Sequence, residues 1–272
     1  MKSKGYSVGL IGYGVVGRGI HKLLKDDVDA IYDPTISRDK EAFRGLDLII
    51  IAVPTNSKED GSCDTSIVEE SIDWAYEINP QAVFLIKSAV IPSAVVTLTK
   101  KYPKLRLTIS PEYLGESKYF TPFWKYPDPQ DMESHPWQVY GGDRKDTTIC
   151  VDIFKRRMSV DCIHLQTTLM TAALCKYMEN SFFAMKVTFC NEFYDIAKNY
   201  GVDYNELREC WLADTRINKN HTLVFPKDRG YGGKCFPKDV KAIIEDSKKM
   251  GYEPELLEAV DMVNEGYRKG KY

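Results

Sequence analysis

The residue with the clearest capacity for chemistry is a cysteine in a glycine-rich loop. The loop reads Gly-Tyr-Gly-Gly-Lys-Cys-Phe-Pro-Lys-Asp and places Cys235 just before a helix that is predicted to begin at Asp239. Glycines leave room for a substrate against the backbone, and a helix N-terminus flanked by Lys234 and Lys238 favours the nucleophilic thiolate. The pattern is typical of a covalent nucleophile, with a buried unreactive thiol as the open alternative.

Two other kinds of site do not fit this loop. The spacing between the glycines and Lys234 differs from that of a phosphate-binding P-loop, and Cys235 stands where that loop needs Ser or Thr. No second Cys or His stands at ligand spacing from Cys235, so no zinc site is predicted here, and no metal site is predicted elsewhere.

Two pairs of polar residues, each four positions apart, are further candidates for catalysis. Lys176 and Asn180 share one face of an otherwise apolar predicted helix, where lysine is rare without a partner or a function. Glu112 and Glu116 follow a predicted strand, at the sheet edge where ligands bind in open α/β folds. Alternatively, Lys176 reaches solvent from an apolar surface, and Glu112 and Glu116 only stabilise the first turn of a helix.

A second glycine motif predicts a dinucleotide site between a strand and a helix. Its glycines permit a tight turn and let a pyrophosphate approach the helix N-terminus. Asp33 ends the next strand about 20 residues on, where a carboxylate binds the adenosine ribose and repels a 2′-phosphate, so NAD is expected rather than NADP. The motif is formed by Gly12, Gly14, Val15, Val16 and Gly17.

The first part of the chain alternates between short apolar strands and helical stretches. This alternation predicts a doubly wound parallel sheet, so the expected fold class is α/β, with a Rossmann domain over residues 1–164. Strands are predicted at residues 6–11, 30–32, 46–53, 83–86 and 105–109, and helices at residues 15–24 and 66–77.

The pattern changes near residue 165 to one long helical segment, residues 166–200, that is apolar on nearly every face. Such a helix is buried in a core or against another subunit. We therefore expect a second, all-helical domain over residues 165–272 that carries the cysteine loop and forms a homodimer through helix 166–200. Further helices are predicted at residues 239–250 and 254–269.

Composition narrows the class of protein. With 272 residues, 43% hydrophobic and 28% charged, the chain is expected to be globular. A net charge of -2 gives no reason to expect nucleic acid or a membrane as partner. Seven cysteines without paired spacing indicate a reducing compartment, and neither a signal peptide nor a membrane span is recognised, so a cytoplasmic location is predicted.

Together these motifs resemble the UDP-glucose/GDP-mannose dehydrogenase family. The resemblance runs in order from about residue 8 to residue 264, and its last motif is the most specific. It is carried by GLIGYGVVG, by AVPT at residues 52–55 with Asp64 following, by SPEYLGE at 110–116, by Lys176-x-x-x-Asn180 continuing to Asn191-Glu192, and by GYGGKCFPKD.

The resemblance implies oxidation of a nucleotide-sugar C6 hydroxyl to a carboxylate, as from UDP-glucose to UDP-glucuronate, with two NAD consumed. Cys235 would attack the intermediate aldehyde, giving a thiohemiacetal and then a thioester. Lys176 and Asn180 would stabilise developing negative charge on oxygen, and Asp239 would act as a base through a water.

Binding roles are also implied by the resemblance. Glu112 and Glu116 would serve oxidation and hydrolysis, and Arg216 resembles an arginine that family dimers extend to the partner's substrate. Further cofactor contacts are expected from Val53, Pro54, Thr55, Ser88, Glu116 and Lys238. Further substrate contacts are expected from Tyr113, Leu114, Lys176, Asn180, Arg216, Tyr231 and Gly232.

Three features depart from the family pattern. Ala89 replaces the usual Thr, which removes a hydroxyl expected to orient the hydrolytic water, and residues 226–230 (Pro-Lys-Asp-Arg-Gly) replace Pro-Gly-x-Gly. The chain also ends before the family's nucleotide-gripping domain, which predicts a separate polypeptide for that domain, a different substrate, or loss of the full reaction.

Two alternatives follow. One is a one-step hydroxyacid dehydrogenase of the 6-phosphogluconate or 3-hydroxyisobutyrate kind, whose lysine and asparagine share the spacing of Lys176 and Asn180. The other is a non-catalytic subunit that binds NAD.

Overall fold

A computed structural model describes residues 5–114 and 131–272. Within these ranges, seven strands form one sheet in the order β2-β1-β3-β4-β5-β6-β7. The strands are β1 (Val8–Ile11), β2 (Val28–Tyr32), β3 (Leu48–Ile51), β4 (Val83–Ile86), β5 (Arg106–Ile109), β6 (Trp137–Gly142) and β7 (Ile163–Thr167). The α-helices are α1 (Val15–Leu24), α2 (Ser66–Ile78), α3 (Pro92–Lys101), α4 (Arg144–Phe154), α5 (Leu169–Asn199), α6 (Tyr204–Leu212), α7 (Cys235–Lys249) and α8 (Glu255–Arg268).

The strand order confirms the predicted doubly wound α/β fold. The chain starts on β1 near one side of the sheet, adds β2 on one flank, and then builds β3, β4 and β5 on the other, all in parallel. The change of direction between β1 and β3 is the switch point where such sheets bind ligands, outside the carboxyl ends of the strands. One junction departs from a parallel sheet, because β6 runs antiparallel to β5.

The sheet core explains why the central strands are apolar throughout. All four residues of β1, β3 and β4 are buried, with alternate side chains entering two separate apolar clusters. Ile49, Ile51 and Phe84 belong to one cluster, and Leu48 and Leu85 belong to the other. Because both faces of these strands are covered, polar groups of a site can be placed only at the strand ends.

The strand β7 lies at the edge of the sheet and pairs with β6. Its residues Ile163 and Leu165 are 60% and 51% exposed. Neither β6 nor β7 is among the predicted strands.

The described chain divides into two compact units. The sheet unit comprises residues 5–58, 63–114 and 131–176, and the helical unit comprises residues 59–62 and 177–272. The predicted boundary between residues 164 and 165 falls inside β7, because residues 163–167 pair with β6. The structure therefore begins the long helix at Leu169 instead of residue 166 and divides the chain within α5.

The helical unit has two small apolar clusters. One joins Ala184, Tyr231 and Val240, and the other joins Cys190 and Tyr204. The helix α7 begins at Cys235, four residues before the predicted start, because Pro237 is tolerated in a first helical turn. The helix α6 was not predicted; Asp203 caps it by accepting a hydrogen bond from the backbone N–H of Asn205.

Large apolar side chains remain exposed along α5 within the helical unit. Met178 is 78% exposed, and the other members of this row are Phe182, Phe189, Phe193 and Ile196. In the described ranges, no helix has the length and apolar character needed to cross a membrane.

The first prediction concerns Asn79, which is buried at the end of α2 and donates through Nδ2 to the carbonyl oxygens of Phe43 (3.0 Å) and Leu46 (2.9 Å). Asn79→Ala leaves both carbonyls without this donor, so the free energy of unfolding should fall by about 1–3 kcal/mol. Denaturant titration measures the loss. The exposed Asn199→Ala is the control, and an equal effect of the two substitutions would contradict the assignment.

Candidate functional site

The glycine turn between β1 and α1 is shaped as the sequence predicts. Gly12 has a φ of +92°, and a Cβ added to it would lie 2.5 Å from the carbonyl oxygen of Ala52, so only glycine fits. Gly17 is buried against the backbone of Gly12, whereas an added Cβ on Gly14 would meet nothing within 4 Å. The space outside Gly14 is therefore open.

The start of α1 faces this open space. Val15 is exposed there and Val16 is half-buried. The helix has no side-chain cap and no acidic residue in its first turn. A helix N-terminus beside open space favours an anion, so these residues could hold the pyrophosphate of a dinucleotide.

Asp33 follows β2 and lies beside the same turn. Its Oδ2 accepts from the backbone N–H of Tyr13 (2.9 Å), and its Oδ1 accepts from the hydroxyl (2.6 Å) and the N–H (2.9 Å) of Thr35. The hydrogen bond from the Thr35 hydroxyl, supported by the two N–H groups, lowers the pKa of Asp33. A fixed carboxylate in this position could accept hydrogen bonds from ribose hydroxyls.

The predicted cofactor contacts at the carboxyl ends of β3 and β4 lie next to each other. The Ser88 hydroxyl donates to the carbonyl oxygen of Val53 (2.7 Å), and Thr55 is buried while Pro54 is exposed. Glu116 lies outside the described residues. Lys238 belongs to the helical unit.

Glu112 forms a buried ion pair that the sequence analysis did not predict. Its Oε2 lies 3.1 Å from Nζ of Lys87, which also donates to Ser110 Oγ and Gln138 Oε1, both at 3.2 Å. Burial by itself raises the pKa of Glu112, but the charge of Lys87, with a smaller effect of His135, lowers it below its ordinary value. The signal in the sequence was a lysine directly after a four-residue apolar strand.

The other oxygen of Glu112 holds the segment that follows. Glu112 Oε1 accepts from the backbone N–H groups of Tyr113 (2.8 Å) and Leu114 (3.1 Å). The Tyr113 ring in turn lies 4.7 Å from the Nζ of Lys176 and its hydroxyl contacts Cys175 Sγ at 3.7 Å. The sheet unit therefore brings Glu112, Tyr113 and Lys176 together, whereas Leu114 packs into the apolar core.

The helical unit brings together Asn180, Lys238 and Asp239. Asn180 Nδ2 and Lys238 Nζ each donate to one oxygen of Asp239, both at 2.6 Å, and Asn180 and Asp239 are buried. Cys235 is the half-buried first residue of α7, four residues before Asp239 and thus on the same side of the helix. A thiol, a carboxylate, an amide and an ammonium group are thus assembled around one helix start.

The remaining predicted substrate contacts differ in how accessible they are. The Tyr231 ring is buried and its hydroxyl donates to Asp261 (3.0 Å), so its side chain is closed to a substrate. Gly232 is half-buried beside the Arg268 guanidinium. Arg216 is 87% exposed and forms an ion pair with Asp214. Among the residues that the structure describes, no group of three or more His, Cys, Asp or Glu side chains could hold a metal ion.

Comparison with known proteins finds similarity to nucleotide-sugar dehydrogenases. Residues 170–266 match the central domain of the UDP-glucose/GDP-mannose dehydrogenase family. The chain is 32% identical over 207 residues to the UDP-glucose 6-dehydrogenase of Rickettsia prowazekii, covering 74% of this chain and 45% of that protein. It is 28% identical over 260 residues to the UDP-glucose 6-dehydrogenase of Pseudomonas aeruginosa, covering 90% and 54%. The chain thus spans about half the length of the curated relatives it matches.

Solved structures with similar folds include a UDP-glucose dehydrogenase from Pyrobaculum islandicum, with a TM-score of 0.80 and 24% identity, covering 97% of this chain and 69% of that one. A GDP-mannose dehydrogenase from Pseudomonas aeruginosa has a TM-score of 0.66 and 21% identity, covering 95% and 68%. These structures establish the fold, a Rossmann-like sheet followed by helices. The central domain of the UDP-glucose/GDP-mannose dehydrogenase family is therefore present in residues 170–266 of this chain.

Proposed function

We propose that the protein is an NAD-dependent dehydrogenase that oxidises the C6 hydroxyl of a nucleotide sugar to a carboxylate through a covalent bond to Cys235. The observation that carries this proposal is the start of α7, where Cys235 precedes a buried Asp239 that is held by Asn180 and Lys238. A nucleophile, a general base and hydrogen-bond donors are the parts that covalent oxidation of an aldehyde requires.

In the proposed reaction, Asp239 acts as a base through a water on the C6 hydroxyl while Lys176 and Asn180 stabilise the developing negative charge on oxygen. Loss of the first hydride from C6 gives the aldehyde. The Cys235 thiolate then adds to the aldehyde carbon, and its oxygen takes up a proton to form a thiohemiacetal. Loss of a second hydride converts this adduct to a thioester, and water releases the carboxylate and restores the thiol. NAD, when bound, would supply the hydride acceptor, one molecule for each of the two oxidations.

The sheet unit, described at residues 5–58, 63–114 and 131–176, is the proposed NAD-binding part. The open space at Gly14 and the start of α1 would receive the pyrophosphate, and Asp33 would bind the adenosine ribose. The ionised Asp33 would repel a 2′-phosphate, which favours NAD over NADP.

The contacts of Glu112 favour a role in positioning neighbouring residues over a role in proton transfer. The resemblance assigns it to oxidation and hydrolysis, yet one of its oxygens pairs with Lys87 and the other accepts two backbone N–H groups. We propose that Glu112 fixes Tyr113 beside Lys176. Ala89 offers no hydroxyl to orient the hydrolytic water, so release of the thioester should be slow.

We further propose that the protein is a homodimer through α5. Single exposed apolar side chains are ordinary, but a row along one helix marks an interaction surface. The row that includes Met178, Phe182 and Phe193 has this character. A second copy of the same helix would cover it with like residues, as in a two-fold interface.

The second prediction tests the reaction. The purified protein should form two NADH for each nucleotide sugar consumed, followed by absorbance with a panel of UDP- and GDP-sugars. Cys235→Ala should lower the rate of carboxylate formation by several orders of magnitude, because no thioester can form. Cys210→Ala, which removes an exposed thiol in α6, should leave the rate unchanged. One NADH per substrate and full activity of Cys235→Ala would instead indicate one-step oxidation.

The third prediction tests the NAD site. Gly14 has a φ of −69° and nothing lies near its added Cβ, so Gly14→Val should cost the free protein no more than the loss of a favourable N-cap residue, about 1 kcal/mol. The new side chain would fill the space proposed for the pyrophosphate and should weaken NAD binding by at least about tenfold, or 1.4 kcal/mol. Calorimetry measures the binding, and unchanged affinity would place NAD elsewhere. Gly12→Ala, which is strained, should lower stability instead.

The fourth prediction tests the buried ion pair. Lys87→Met leaves the Glu112 carboxylate without its cation, so the free energy of unfolding should fall by about 3–5 kcal/mol. Adding Glu112→Gln removes the buried charge, so the double variant should be more stable than Lys87→Met alone. A double-mutant cycle from denaturant titrations gives the coupling. Additive losses would show that the two side chains do not interact.

A further inference from the structure

An arginine with a largely buried side chain, Arg229, precedes the glycines of the cysteine loop. The side chain of Arg229 is only 12% exposed, and its guanidinium carbon lies 4.7 Å from the ring centroids of both Tyr194 and Tyr267. Tyr194 belongs to α5 and Tyr267 to α8, so the guanidinium is stacked between these two helices of the helical unit. A planar cation between two aromatic faces is a stable arrangement that an ammonium group cannot reproduce.

The nitrogens of Arg229 are bound to a single stretch of α5. Nε donates to Asn191 Oδ1 (2.6 Å), and the two terminal nitrogens donate to the carboxylate oxygens of Asp195 at 3.0 and 2.8 Å. One terminal nitrogen also donates to the backbone carbonyl of Asn191 (2.8 Å). This fork-shaped contact with a carboxylate fixes both the position and the orientation of the side chain.

The two residues after Arg229 are held by their backbones. Asn191 Oδ1 also accepts from the N–H of Gly230 (3.1 Å). Asn264 of α8 accepts from the N–H of Tyr231 (2.7 Å) and donates to its carbonyl oxygen (3.1 Å). Asn191 and Asn264 are both buried. A Cβ on Gly230 would lie 2.5 Å from Asn264 Oδ1, so the backbone approaches this amide as closely as glycine allows.

We propose that Arg229 is a positioning residue. Together with Asn191 of α5 and Asn264 of α8 it forms a clamp that holds residues 229–231 and thereby fixes the position of Cys235. This inference rests on the proposed role of Cys235 as nucleophile. Only three residues, 232–234, separate the clamped Tyr231 from the thiol-bearing start of α7. A movement of residues 229–231 would therefore also move Cys235. A nucleophile displaced by about 1 Å can lose on the order of 100-fold in rate.

The fifth prediction compares Arg229→Met, which keeps length and removes the fork, with Arg229→Lys, which keeps the charge. Lys227→Met is the matched control on an exposed residue of the same loop. Three quantities are measured on the whole chain: hydrogen exchange of the peptide spanning residues 228–235, the pH profile of Cys235 alkylation by iodoacetamide followed by peptide mass spectrometry, and kcat and KM.

Arg229→Met should speed exchange in this peptide by about tenfold, shift the alkylation profile, and lower kcat by about 10-fold to 100-fold with KM within about twofold. Arg229→Lys should restore only part of each effect, and Lys227→Met should match the unchanged protein. If Arg229→Met does not fold, Asp195→Asn weakens the same fork and should cause the same changes to a smaller degree.

Exchange and alkylation require no turnover, so they test the clamp even if the protein oxidises no nucleotide sugar. Faster exchange with a shifted alkylation profile in a protein without activity would support the clamp and reject the proposed function. If Arg229→Met shows the same exchange and alkylation as Lys227→Met, the proposed clamp is wrong, whatever the activity.

Discussion

The ion pair between Lys87 and Glu112 is the interaction on which the carboxyl edge of the sheet depends. Two charges removed from water are tolerated only when their remaining donors and acceptors are satisfied. Ser110 and Gln138 accept hydrogen bonds from the ammonium, and two backbone N–H groups donate to Oε1 of the carboxylate, whose Oε2 faces the ammonium at 3.1 Å. The end of β4 is thereby fastened to the segment after β5, and that segment presents the Tyr113 ring to Lys176.

In the helical unit, buried backbone and side-chain polar groups are held mainly by neutral amides instead of a buried ion pair. Its loop is held by the side-chain amides of Asn191 and Asn264, and a third amide, Asn180, holds Asp239. An amide both donates and accepts, so Asn264 can pair with the N–H and the carbonyl of one residue as a neighbouring strand would. Charged groups occur here in bonded pairs, Arg229 with Asp195 and Lys238 with Asp239.

Features that depend on neighbouring residues could be predicted from the sequence. The glycine turn at residues 12–17 and the carboxylate of Asp33 follow from local geometry, and the doubly wound sheet follows from the alternation of elements. Contacts between distant segments could not be predicted. Lys87 meets Gln138 across 51 residues, and Arg229 meets Asn191 across 38. Such contacts depend on which helices and strands pack together, and the packing of distant segments cannot be inferred from a single sequence.

Some helix and strand boundaries were predicted wrongly for a different reason. Asp239 is a favourable residue at a helix start, which made it the predicted beginning of α7, yet it lies inside the helix and binds Asn180. The strands β6 and β7 also escaped prediction, because the second of them is polar at alternate positions and leads directly into an apolar helix.

The exposed edge at β7 has a consequence for handling the protein. Among the described residues, no strand pairs with the outer side of β7. A strand edge without a partner and with exposed apolar side chains, here Ile163 and Leu165, is a template for pairing with another chain. The strand is only five residues long and alternates these side chains with the polar His164 and Gln166, which limits the pairing. Leu165→Lys should therefore reduce association between molecules in concentrated solution without disturbing the buried strands, which light scattering measures.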